Sequence, residues 1–202
     1  MARSVGQPVK LTSLATDIAG SGNNPPAGNT VNAYLDSLDR LKLTDNSPSW
    51  QPHMRSRTRL RAAPVRYFVD PSIGTAASRI GTRELLADLN GAGFHFEALA
   101  VRDLRIYAQP AGGDIYSWRE ANGRKEVDAI IETPEGWSAF EIKLTGDPRV
   151  IDDAAKQLLD FAEGVDQTRH GAPKALSIIT ATGGGGLRSD GMHIVPIAAL
   201  GP

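Results

Sequence analysis

Residues 126–145 read EVDAIIETPEGWSAFEIKLT: an apolar run with an acid near its start, a Pro-Glu-Gly turn, and a second apolar run ending in Glu-Ile-Lys. Two such runs around a short turn predict a β-hairpin with strands at EVDAIIET and WSAFEIKL. The turn folds the chain back, so Asp128 near the start of one strand comes beside Glu141 near the end of the next. Glu141 and Lys143 are two apart and share a face, while Ile142 points to the other. Two carboxylates plus a backbone carbonyl suit Mg²⁺ (or Mn²⁺), a hard cation that keeps several waters. A lysine beside it can orient or help deprotonate one of those waters for attack on phosphorus. The same residues admit a plainer reading, in which Glu141 and Lys143 form a surface pair worth about 0–1 kcal/mol and Asp128 merely starts a strand.

Working outward, GDIYSWRE reads as a third strand joined to the hairpin by an NGRK turn. Before it, FHFEALAVRDLRIYA places Phe94, Leu99 with Ala98, Val101, Leu104 and Ile106 so densely that too little polar face remains for a surface helix. Glu97 sits in that apolar company, and supplying a third carboxylate, as ligand or through water, would explain its presence there. Upstream, Ser72–Ser78 reads as a short turn or helix, and a segment from Thr82 to Asn90 is ended by GAG. Downstream, residues 148–163 form a helix with Pro148 in its first turn and Gln157 along its length. KALSIIT is a buried strand, and MHIVPIAAL is a short strand with a helical tail. The order from Phe94 is α, three β, α, β. Glycines 183–186 form a loop that lacks the Lys-Ser/Thr of a phosphate-binding loop, and no G-x-x-x-x-G-K-[ST] occurs, so no ATPase activity is expected of this chain.

The N-terminal part reads differently. LTSLATDIA predicts a helix over 11–19, SGNNPPAGN breaks it, and Thr30 can cap a second helix, TVNAYLDSLDRL, whose apolar face is Val31, Tyr34, Leu35, Leu38 and Leu41. Short β-like runs follow to residue 70, the arrangement of a winged helix, although a plain helical hairpin leading into a sheet has the same pattern. Arg55, Arg57, Arg59 and Arg61 alternate with Ser56, Thr58 and Leu60, so in a strand all four would share one face. Such a stripe can grip nucleic-acid phosphates, dock on an acidic neighbouring domain, or act as a solvated edge that discourages strand addition.

Composition narrows the classes. At 41% hydrophobic and 22% charged, the 202 residues have ordinary globular usage. No apolar run approaches the roughly 18 residues of a membrane span and MARSVGQPVK has no signal-peptide core, so no membrane partner and a cytoplasmic location are expected. Without cysteine, and with His53, His95, His170 and His193 far apart in sequence, any metal must sit mostly on oxygen. The net charge of −1 hides an asymmetry: residues 1–66 hold 9 Lys+Arg against 4 Asp+Glu, leaving 13 against 19 for the rest. That split fits a nucleic-acid-facing or partner-facing module in front of a differently charged one.

Asp128, the Glu141-Ile142-Lys143 strand and the preceding helix acid Glu97 together resemble the PD-(D/E)xK nuclease superfamily. Gln157, followed four residues later by Phe161, resembles the Q-x-x-x-Y element of one branch, with Phe in place of Tyr. More closely, YFVDPSIG, FHFEALAVRDL, IYSWRE, KEVDAII and AFEIKL, together with the TVNAYLDSLDRLKL helix, resemble the C-terminal domain of a large group of bacterial and archaeal AAA-type ATPases, domain of unknown function 4143, from about Thr12 to Leu144. The resemblance implies a winged-helix-like module over 1–66 and a restriction-endonuclease-like α/β domain over 67–202. It also implies a longer protein whose P-loop ATPase part is not in this chain. Two functions remain open from these residues. One is Mg²⁺-dependent DNA hydrolysis, with Asp128 and Glu141 as metal ligands, Lys143, Glu97 and Gln157 as catalytic residues, and the four arginines on DNA. The other is a non-catalytic module that binds DNA or docks the ATPase.

Overall fold

The computed structural model describes residues 5–22, 24–51, 63–120 and 123–201. In chain order the elements are α1 (Leu11–Ala19), α2 (Gly28–Arg40), α3 (Pro71–Ser78), α4 (Thr82–Ala87), α5 (Leu89–Ala108), β1 (Asp114–Arg119), β2 (Glu126–Thr133), β3 (Gly136–Lys143), α6 (Pro148–Gly164), α7 (Gln167–His170), β4 (Ala175–Thr180), β5 (Gly186–Leu187) and β6 (His193–Pro196), which runs into a 3₁₀ turn over Ile197–Ala199. The result is a mixed α/β fold around one six-stranded sheet of order β1-β2-β3-β4-β6-β5. β1, β2 and β3 form an antiparallel meander, β3 pairs parallel with β4 through the α6 crossover, and β4 pairs parallel with β6.

The hairpin at the centre forms because its turn demands it. Gly136 has φ +139°, and a Cβ there would stand 2.9 Å from Lys174 Cε, so only glycine suits the Pro-Glu-Gly turn. α6 follows β3 with Asp147 capping the N–H of Arg149 at 2.9 Å and Pro148 in the first turn. Its residues Ile151, Ala154, Ala155, Leu158, Phe161 and Ala162 recur at helical spacing and bury one face against Ile130, Trp137, Ala139 and Ile178. α5 covers the opposite face, packing Phe96, Val101 and Leu104 on Ala129, Ile142 and Ile179.

Several local expectations are corrected. Ala27, not Thr30, caps α2, and Thr30 lies inside its first turn without a capping side-chain bond. GAG does not end a helix. Gly91 and its neighbours sit in the first turn of α5, where the Asp88 carboxylate accepts the Gly91 N–H at 3.0 Å. Within α5, Phe94 and Ile106 are exposed, so the helix is buried on one side rather than all round. On α2, Val31 and Leu35 are buried but Tyr34 and Leu41 face solvent. The glycine run ends in β5, where Gly186 pairs with Ile194 of β6. Among the described residues, no helix is long and apolar enough to cross a membrane.

α1 and α2 share a small core of Leu14, Ala15, Val31 and Leu35. The segment after them belongs to the sheet's cores instead. Thr44 bridges Phe68 and Ser47 bridges Val65, both antiparallel, and Val5, Val65, Tyr67 and Phe68 join the core under α5. Trp50 donates its N–H to Ser117 O of β1 at 2.7 Å and stacks at 5.2 Å from Trp137 and 6.0 Å from Phe161. The arginines at 55, 57, 59 and 61 lie outside the described residues. Because Trp50 is 2% exposed in a core shared by three aromatic side chains, Trp50→Ala should cost about 3–5 kcal/mol, read from the urea midpoint at unchanged slope. A loss under about 1 kcal/mol would show that the segment is not docked.

Candidate metal centre

Strand register brings the hairpin acids together. β2 and β3 pair from Thr133–Gly136 to Ala129–Phe140, which leaves Asp128 and Glu141 as the next residues beyond the last pair. Between β1 and β2 the register slips, so that Ser117 is opposed by two residues, Asp128 and Ala129. A bulge of this kind re-aims side chains. Here the Asp128 carboxylate accepts the Ile142 N–H at 2.8 Å through Oδ2. Lys143 Nζ lies 2.5 Å from Glu141 Oε2 and 3.5 Å from Asp128 Oδ2. The Glu141 side chain is 2% exposed, which rules out the surface-pair reading, and its Oε1 is buried without a hydrogen-bond partner. Thr180, opposite Lys143 on β4, is also fully buried with an unpartnered hydroxyl.

Glu97 reaches the same region from α5. Its Oε1 accepts the Tyr67 hydroxyl at 2.6 Å. Gly6, at φ +73°, packs against it so closely that a Cβ would meet Glu97 Oε1 at 3.2 Å and Oε2 at 3.4 Å. Glu97, Asp128, Glu126 and Tyr67 line an open cavity of about 770 Å³ that also touches Gln7, Lys10 and Trp118. Arg119 at the cavity edge is paired with Glu126.

Burial, and then the charge of Asp128, push the Glu141 carboxyl up to about 8 against the opposing pull of Lys143. Glu97 is raised well above the carboxylate range by the same two causes, although the Tyr67 hydrogen bond works the other way. Burial acts to lower Lys143, but the charges of Asp128 and Glu141 outweigh it and hold the ammonium protonated. Three carboxylates against one ammonium leave two negative charges uncompensated if all ionise. The cluster must therefore keep a proton or accept a cation.

This donor chemistry fits a hard divalent ion: all-oxygen ligands, excess negative charge and one orphaned carboxylate oxygen at Glu141. Asp128 and Glu141 would hold it. Among the described residues no three acidic or histidine side chains already converge into a cage, and Lys143 lies between the two carboxylates. Gln157 is not part of this constellation; it is exposed on α6, whose inward face carries Leu158 and Phe161. Tyr67 and Gly6 went unread from the sequence because their partner lies 30 and 91 positions away. The available signal was a tyrosine in an apolar strand-like run, since a buried hydroxyl requires a partner.

The raised Glu141 carboxyl fixes a pH dependence of stability. The folded protein holds a proton that the unfolded chain releases near the ordinary glutamate value of 4.5, so stability falls as pH rises from about 4.5 through about 8. Glu141→Gln keeps the shape without the charge. In metal-free buffer its melting temperature should match wild type near about pH 4 and exceed it near about pH 9, values that bracket that window. Parallel melting curves across the range would contradict the assignment.

No curated protein and no solved structure is a match to this chain. Residues 1–84, which hold the helix pair and the segment after it, match a second family model, described as Domain of unknown function (DUF8612). Residues 92–200, more than half of the chain, match the model described as Domain of unknown function (DUF4143), which covers every strand of the sheet, most of α5 and all of α6. On that match, the chain belongs to the DUF4143 family.

Proposed function

We propose that this chain hydrolyses phosphodiester bonds in DNA with Mg²⁺ or Mn²⁺, on a PD-(D/E)xK core of the restriction-endonuclease type. The element order α5-β1-β2-β3-α6-β4, with Asp128 on β2 and the Glu141-Ile142-Lys143 run on β3, supports that fold assignment. The observation that carries the reaction is the uncompensated charge around Glu141: a buried, unpartnered carboxylate oxygen beside a second carboxylate, with one ammonium to serve both.

When bound at Asp128 and Glu141, the ion supplies Lewis acidity toward a phosphoryl oxygen and an acidified water. The chain does the rest. Lys143, beside both carboxylates, would orient the attacking water and offset charge that develops on phosphorus. Glu97, held by Tyr67, would accept a hydrogen bond from a water in the cavity. The α1–α2 pair followed by antiparallel bridges supports a winged-helix-like module that binds DNA.

A second reading has its own support. Glu141 is 1% exposed and Lys143 already neutralises one of its oxygens, an arrangement that serves a non-catalytic DNA-binding or ATPase-docking module equally well. Substitution separates the two. Calorimetry should detect Mn²⁺ binding by wild type and Lys143→Met, and none by Asp128→Ala or Glu141→Ala at millimolar ion. Cleavage of single-stranded or duplex DNA should fall on the order of 100-fold or more in all three variants. Wild-type protein that binds no divalent ion, or variants that cut like wild type, would leave the non-catalytic reading.

A further inference from the structure

The cavity beside the carboxylates has two walls of different origin. Glu97, Glu126 and Asp128 belong to the part of the chain matched by DUF4143, whereas Gly6, Gln7 and Tyr67 belong to the part matched by the other family model. Tyr67 is 2% exposed, and its hydroxyl donates to Glu97 Oε1 at 2.6 Å. A buried phenol aimed at a half-buried carboxylate fixes which oxygen of that carboxylate remains available. Gly6 packs against the same carboxylate, held there by its N–H bond to Arg66 O at 3.1 Å, next to Tyr67 in the chain.

The same two parts are latched a second time along α5. Arg105, two turns beyond Glu97, pairs with Asp45 Oδ2 at 2.8 Å and donates to Ser47 Oγ at 3.0 Å, while the Asp45 N–H bonds Tyr67 O at 3.0 Å. Helix α5 and the Tyr67 segment are thereby fixed to each other at both the hydroxyl and the backbone.

We propose that Tyr67 is a positioning residue of the carboxylate site, acting through Glu97, so that the N-terminal family unit supplies part of the site rather than merely preceding it. The consequence for ion binding rests on reading the cavity as the reaction site; the Tyr67–Glu97 unit itself does not.

A double-mutant cycle in the full chain tests both. Tyr67→Phe removes only the hydroxyl and preserves the ring's packing. Mn²⁺ affinity by calorimetry should fall about 10–100-fold in Tyr67→Phe, the range expected when an outer partner of a site carboxylate is lost. In the Glu97→Gln background, Tyr67→Phe should bring no further loss, because the residue it acts through is already gone. Metal-free melting of the same four proteins should show non-additive temperature shifts. Wild-type affinity in Tyr67→Phe, or effects that simply add, overturns the positioning role. Wild type that binds no Mn²⁺ while its melting shifts remain non-additive overturns the metal reading and leaves the Tyr67–Glu97 unit standing; additive melting shifts overturn that unit too.

Discussion

The carboxylate of Asp128 does the work of a backbone carbonyl. Backbone pairing between β2 and β3 ends at Ala129 and Phe140, and beyond that point the Ile142 N–H is taken by Asp128 Oδ2. This bond fixes the acid of β2 against the Glu-Ile-Lys end of β3, beside a bulge at Asp128 and Ala129. Lys143, Glu141 and Glu97 take their places around it. β3 can carry such a site because it is flanked by β2 and β4 and covered by helices on both faces, so its end is held by the sheet rather than by a loop.

The electrostatic cost of this arrangement is borne by the core. Glu141 is buried among apolar neighbours with one oxygen unpartnered, and its carboxyl is pushed up to about 8. A fold selected for stability alone would place a nonpolar side chain of similar volume there. Strongly perturbed carboxyls cluster at functional sites, and here the perturbation at Glu141 and Glu97 has named sources: burial first, then the charge of Asp128. The N-terminal segment packs Tyr67 and Gly6 against Glu97, and the Tyr67 hydrogen bond offsets part of that perturbation. The segments matched by the two family models consequently meet at a cavity lined by Glu97, Glu126 and Asp128.

Much of this was legible in the sequence where the signal is local. The bounds of β2, and of α1 at Leu11–Ala19, follow from alternation, helical spacing and the breaks beside them. The proximity of Asp128 and Glu141 follows from a short turn and antiparallel register, and Glu97 stood out as an acid in an apolar helix. The start of α5 was misread because Gly91 and Gly93 resemble a stop signal, whereas the Asp88 side chain makes them a tolerable first turn. Gln157 looked like a site residue by spacing to Phe161, but α6 must turn Leu158 and Phe161 inward and this leaves Gln157 in solvent. Tyr67, Gly6 and Trp50 were not legible because their roles arise from contacts between distant parts of the chain, which no periodicity encodes.

In the proposed function, the β2–β3 carboxylates exchange the Lys143 ammonium for a divalent ion. Anomalous diffraction from crystals of the metal-free protein soaked in Mn²⁺ tests it most directly. The account predicts a manganese peak bounded by the carboxylates of Asp128 and Glu141, with the Lys143 ammonium displaced from its 2.5 Å contact with Glu141 Oε2. Crystals with manganese elsewhere or not at all, and Lys143 still paired with Glu141, would contradict it.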